Sequence, residues 1–148
     1  MPTGALVIGY GNTLRGDDGI GPAVAETVAA LGLPEVRVIV AHQLTPELAA
    51  DLAEVRLAVF VDAAVSGAPV KAVRVEAAEA GTAMTHAADP SGLLALCTAV
   101  YGRCPEAWLV TAAGADFDFR DGLSPTGREN AREALGYVEW LIREASGA

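Results

Sequence analysis

Four apolar residues, Ala5-Leu6-Val7-Ile8, run into Gly9-Tyr10-Gly11-Asn12-Thr13-Leu14-Arg15-Gly16-Asp17-Asp18-Gly19-Ile20-Gly21, beyond which Val24, Val28 and Leu31 continue Ile20 at helical spacing. A buried strand that opens through glycines into a helix is an α/β signature. At such a turn, free backbone amides and the positive end of the helix dipole usually cradle a phosphate. Here two aspartates stand in that place. Adjacent carboxylates repel a phosphate and attract a cation, so the turn reads as a cation site.

Further apolar, valine-rich runs at Val36–Val40, Leu57–Val61 and Trp108–Val110 are separated by segments of helical pattern. Strands alternating with helices predict a mostly parallel sheet covered on both faces. Val70–Val75 partly alternates and follows Leu57–Val61 after the short turn Ser66-Gly67-Ala68-Pro69. It reads as an edge strand, open to antiparallel pairing. The first helix is expected to begin at Asp17 or Asp18 and to stop at Gly32, with Pro34 just beyond. Thr45-Pro46, Asp89-Pro90 and Ser124-Pro125 each set a capping side chain before a proline and so start three more helices. The last helix buries Ala131, Leu135, Val138 and Leu141. The expected fold is α/β, three-layer α/β/α, a twisted, mostly parallel five-stranded sheet of order 2-1-3-4-5. One domain is expected over residues 1–148, with no repeat and no linker.

With 19 acidic against 10 basic residues the net charge is -9, which argues against nucleic acid and anionic membranes as partners. The apolar runs end well before the ~20 residues of a membrane span. Met1-Pro2-Thr3-Gly4 lacks the basic residues and cleavage pattern of a secretory signal, so a cytoplasmic protein is expected. Cys97 and Cys104 then stay thiols with packing or helix-end roles. Small size and a self-contained core favour a monomer.

In the 2-1-3-4-5 order the first and third strands leave toward opposite faces, and ligands bind at that switch point beyond their carboxyl ends. The first strand leads to Asp17 and Asp18, and the third ends in Val61-Asp62-Ala63-Ala64. The loop Thr82–Ala88, which carries His86 ahead of the Asp89-Pro90 helix, can fold back over the same rim. Two carboxylates and one imidazole can therefore converge on one cation. Ordinary readings stand beside this one. An acidic residue at a helix start adds roughly 0.3 to 1 kcal/mol by complementing the dipole, and Asp17 is favoured for that role with Asp18 as ligand, although spacing leaves both open. Asp62 alone can be a solvated strand-end carboxylate, and His86 an idle loop residue. His42, closing the second strand, is a candidate substrate contact.

Two rival chemistries are weaker. A dinucleotide fingerprint has a third glycine where Leu14 stands and an acidic residue where Ala41-His42 closes the second strand. No Gly-x-Ser-x-Gly elbow is present and neither cysteine follows a strand into a sharp turn, so hydrolysis here needs a metal. Oxygen and imidazole ligands suit zinc and nickel alike.

The stretch Gly9-Tyr10-Gly11-Asn12 with Leu14, Gly16-Asp17-Asp18-Gly19 and Gly21-Pro22, followed by Val61-Asp62-Ala63 and Thr85-His86, resembles the nickel-iron hydrogenase maturation endopeptidases over essentially the whole chain. The resemblance implies a twisted sheet sandwiched by helices, with Asp18, Asp62 and His86 as metal-contacting and catalytic residues. Many relatives carry glutamate where Asp18 stands. The implied activity is removal of a C-terminal extension from the hydrogenase large-subunit precursor after nickel insertion. The nickel would be supplied by the substrate, with no permanent metal in the enzyme. A non-catalytic nickel-binding assembly factor with the same ligands and a nucleotide-binding domain of Rossmann type are the alternatives.

Overall fold

A computed structural model describes residues 2–79 and 88–146. The valine-rich runs form β1 (Ala5–Tyr10), β2 (Val36–Ala41), β3 (Leu57–Ala64), β4 (Val70–Val75) and β5 (Glu106–Ala113). Between them lie α1 (Ile20–Leu31), α2 (Leu48–Ala53) and α3 (Pro90–Tyr101), and α4 (Pro125–Ser146) follows β5. β1, β2, β3 and β5 pair in parallel, whereas β4 runs antiparallel along β5. The three-layer α/β architecture expected from the sequence is what the chain adopts.

Each parallel strand is covered twice, so alternate residues feed two cores. Leu6, Ile8, Ala58 and Phe60 pack with α2 and α3 on one face, and Val7, Val59, Val61 and Val110 pack with α1 and α4 on the other. The sheet order is β2-β1-β3-β5-β4: β2, β1 and β3 stand in the expected order, and β4 takes the edge, antiparallel, as its partial alternation predicts, which leaves the inner place to β5. The burial pattern supplies the reason. β4 alternates half-buried with exposed residues over its first four positions, whereas Ala107, Val110 and Ala112 of β5 are fully buried. The better covered strand takes the inner place and the alternating one blunts the edge.

Helix starts follow the capping logic in two cases of three. The Asp89 carboxylate accepts the Gly92 amide at 2.8 Å at the head of α3, and the Ser124 hydroxyl accepts the Gly127 amide at 2.9 Å at the head of α4. Thr45-Pro46 instead builds a preceding turn, in which the Leu48 amide donates to the Thr45 carbonyl at 3.1 Å, and α2 starts only at Leu48. α1 also begins later than expected, at Ile20, because Gly16–Gly19 form a separate 3-10 turn that carries both aspartates.

That turn is pinned to the sheet by a close approach. A Cβ on Gly21 would sit 2.8 Å from the Tyr10 amide nitrogen and would strike the carbonyl oxygens of Tyr10 and Val61. Backbone atoms cannot swing aside as a side chain can. Gly21→Ala is therefore expected to lose about 2 to 3 kcal/mol in chemical denaturation. Gly136 of α4 has nothing within 4 Å, so Gly136→Ala should gain about 0.5 to 1 kcal/mol from helix propensity. Equal effects at the two positions would contradict the tight α1–sheet contact. Among the described residues no helix is long and apolar enough to cross a membrane.

Candidate active site

Asp17 and Asp18 are neighbours in one turn and have opposite fates. Asp17 is fully buried. Its Oδ2 accepts the Ala115 amide at 2.7 Å, the Asp116 amide at 3.0 Å and the Ser124 hydroxyl at 2.6 Å, while Oδ1 accepts the Ser124 amide at 2.8 Å. Burial pushes its pKa up, but the Ser124 hydroxyl and these three amides outweigh that and hold it below the ordinary carboxylate value. Asp17 is thus not the cap of the helix that follows it, as the sequence reading favoured. It fastens the β1 turn to the loop leaving β5 and to the head of α4.

Asp18 is half-buried and carries no such load. Its Oδ2 accepts the Asn12 amide at 2.6 Å, which closes the glycine turn on itself. An amide that a phosphate would need is taken by the chain's own carboxylate, which weighs against the nucleotide reading.

Asp62, at the end of β3, shares a sheet face with Tyr10 because both continue the parity of Ile8 and Phe60. Burial pushes the Asp62 pKa up to about 6. The Ala63 amide, which donates to Oδ1 at 2.8 Å, and the Tyr10 hydroxyl pull it partly back, and the negative charge of Asp18 adds to the rise. Asp18 and Asp62 therefore meet electrostatically on one rim. Tyr10 is raised by burial, then by the charges of Asp62 and Asp89, so its hydroxyl stays a donor. The influence of Asp89 places the head of α3 at the same rim.

His86 and Thr85 lie outside the described residues. Among the described residues no group of three or more His, Cys, Asp or Glu is gathered as for a metal, and the rim holds the Asp18 and Asp62 carboxylates. His42 is exposed just past β2, where the Gly11 amide donates to the Ala41 carbonyl at 3.1 Å. It flanks the rim. Cys97 is buried, its thiol donating to the Ala49 carbonyl at 3.4 Å and the Arg103 carbonyl at 3.2 Å, in keeping with packing.

Tyr10 and Asn12 stand in the motif quoted from the sequence, but sequence reasoning gave neither a role. The signal for Tyr10 was present, since it lies two residues beyond Ile8 on the face that Asp62 shares. Asn12 holds Asp18 through its backbone amide, which no side-chain pattern discloses.

No protein-family model and no curated protein matches the chain. Among solved structures it is similar to the hydrogenase maturating endopeptidase HybD from E. coli, with a TM-score of 0.72 at 27% identity over 97% of this chain and 94% of that one. It is similar also to a hydrogenase 2 maturation peptidase from a Thaumarchaeota archaeon, with a TM-score of 0.68 at 26% identity over 98% and 99% of the two chains. Over nearly its whole length the chain is similar to structures named as hydrogenase maturation endopeptidases. The NiFe hydrogenase maturation protease HybD from Thermococcus kodakarensis shares the fold at 23% identity, with a TM-score of 0.70 over 95% and 99%.

Asp17 and Asp62 pull stability in opposite directions with pH. The folded pKa of Asp62, about 6, lies above its ordinary value of 3.8, so its contribution is full below 3.8 and is lost as pH rises through about 6. The Asp17 pKa is depressed, so its contribution is present above 3.8 and is lost as pH falls through the folded value. The contribution of these two groups to thermal stability should therefore be greatest near pH 3.8 and should fall as pH rises toward about 6. A melting temperature that is no higher near pH 5 than near neutrality would contradict the raised Asp62 value.

Proposed function

We infer that this chain is an endopeptidase that removes the C-terminal extension of the nickel-loaded large-subunit precursor of a NiFe hydrogenase. One observation carries the reading: Asp18 from the β1 turn and Asp62 from the end of β3 share a rim, on the fold of chains named as hydrogenase maturation endopeptidases. In this reading the nickel belongs to the substrate, and Asp18, Asp62 and His86 lend it ligands. His86 stands three residues before Asp89, whose charge is felt at Tyr10.

The electrostatics support a passing cation. Two carboxylates held close enough to raise one pKa are under like-charge tension, which a divalent ion relieves on arrival. The Asn12 amide fixes Asp18, and the Ala63 amide and the Tyr10 hydroxyl fix Asp62, so both oxygen donors are set before the substrate docks. A seated nickel can polarise the scissile carbonyl or a water, and it also reports that the precursor is loaded. Hydrolysis then adds water across one amide bond, leaving a new carboxyl end and a freed peptide. The proposed setting is the cytoplasm and the proposed active species a monomer.

The decisive experiment is the intact mass of a nickel-loaded large-subunit precursor after incubation with the protein, beside a nickel-free control. Loss of a C-terminal peptide from the loaded sample alone is expected. Binding of the loaded precursor without loss of mass would describe an assembly factor instead.

A cation ligand has to be ionised, so processing should fall as pH drops through about 6, the Asp62 value. Tyr10→Phe removes the hydroxyl that pulls this value down and should move the acid limb to higher pH. A rate profile that is flat across that range would remove Asp62 from the ligand set.

A further inference from the structure

Phe119 is 81% exposed and Leu14 is 53% exposed, and both belong to segments fastened to the turn that carries Asp18. An isolated parallel bridge pairs Arg15 with Arg120. Across it the Arg120 amide donates to the Leu14 carbonyl and the Gly16 amide to the Arg120 carbonyl, each at 2.9 Å. Leu14 and Phe119 are the residues that immediately precede the bridged pair, one on each segment. The Leu14 amide also donates to Asn12 Oδ1 at 2.9 Å, and the amide of the same Asn12 holds Asp18. On the other segment, Asp116 takes the Asp118 amide at 2.9 Å and the Arg120 guanidinium at 2.7 Å. Two large apolar residues in water are therefore presented on backbone that is already ordered, so seating a partner on them loses little conformational freedom.

We propose that Leu14 and Phe119 form an apolar docking platform for the precursor, taking an apolar side chain of the polypeptide that brings the nickel. The proposal rests on the endopeptidase reading above and names the part of this chain that holds the protein portion of the substrate. Size decides against a second copy of the chain as occupant. Covering both side chains removes on the order of 300 Å², whereas a stable dimer buries about 1,000 Å² or more in total. An area so small suits a transient contact made while the carboxylates read the metal. Its continuity with the Asp18 turn puts whatever sits there next to the site.

The test compares wild type, Leu14→Ser and Phe119→Ser on the nickel-loaded large-subunit precursor, following intact mass and, separately, binding of the precursor to immobilised protein. Each substitution should raise KM about tenfold or more, as loss of one buried apolar anchor does. kcat at saturating precursor and the melting temperature should stay at wild-type values. An unchanged KM in both variants overturns the platform. A wild type that is dimeric in solution, with variants that are monomeric, also overturns it in favour of a second copy. If wild type binds the precursor without cutting it, the endopeptidase reading fails, and the platform stands only if Phe119→Ser weakens that binding. If wild type neither binds nor cuts, both fail.

Discussion

Replacing Asp17 with alanine is expected to lower the stability of the chain by about 3 to 5 kcal/mol, a large part of the roughly 5 to 15 kcal/mol that holds a domain of this size together. The carboxylate is fully buried and takes the amides of Ala115, Asp116 and Ser124 and the Ser124 hydroxyl. Alanine leaves those donors facing a hole. Asparagine is also expected to fail, since its amide nitrogen would confront either the Ser124 amide or the three donors on Oδ2. Glutamate is excluded by space, because Gly114 and Gly127 approach the side chain so closely that a Cβ at either would collide with it. Urea denaturation of the three variants measures this. A loss below about 1 kcal/mol in Asp17→Ala would mean that Asp17 does not fasten the loop after β5.

Asp62→Asn should move activity and stability in opposite directions. The carboxamide keeps an oxygen for the Ala63 amide and the Tyr10 hydroxyl but withdraws the charge that a cation needs. Processing of nickel-loaded precursor should fall by more than the roughly 10- to 100-fold typical of losing a group that only supports a ligand. The charge is also what the folded state tolerates poorly. The rise from 3.8 to about 6 corresponds to roughly 3 kcal/mol against the ionised form near neutral pH, and solvent screening of a half-exposed group reduces the net gain to about 1 to 2 kcal/mol. The melting temperature should rise by about 3 to 6 °C. An active variant, or one that melts lower, would separate Asp62 from the proposed site. His86→Ala should likewise abolish processing, without an accompanying gain in stability.

The layers of the fold were legible because burial on both faces writes itself as short valine-rich runs, and because proline after Asp89 or Ser124 leaves one sensible place for a helix to start. The edge place of β4 was legible in its partial alternation, and its antiparallel run along the fully covered β5 agrees with that reading. The rim carboxylates were visible as strand-end and turn residues. The division of labour between Asp17 and Asp18 was only half visible, because the partners of Asp17 lie 98 to 107 residues away and local spacing carries no trace of them. Thr45 failed as a cap because the proline after it closed a turn two residues short of the helix.

The separation between Asp17 and its partners also governs when the site can exist. Synthesis runs from β1 onward, so the turn bearing Asp18 is made early, yet Asp17 finds its donors only after Ser124 has left the ribosome. Until then a bare carboxylate cannot enter the core, and the turn has no reason to hold its final shape. β5 imposes the same delay, because it must slip between β3 and a β4 that is already made. A chain built in this order completes the turn that carries Asp18 only once the segment beyond β5 has been made.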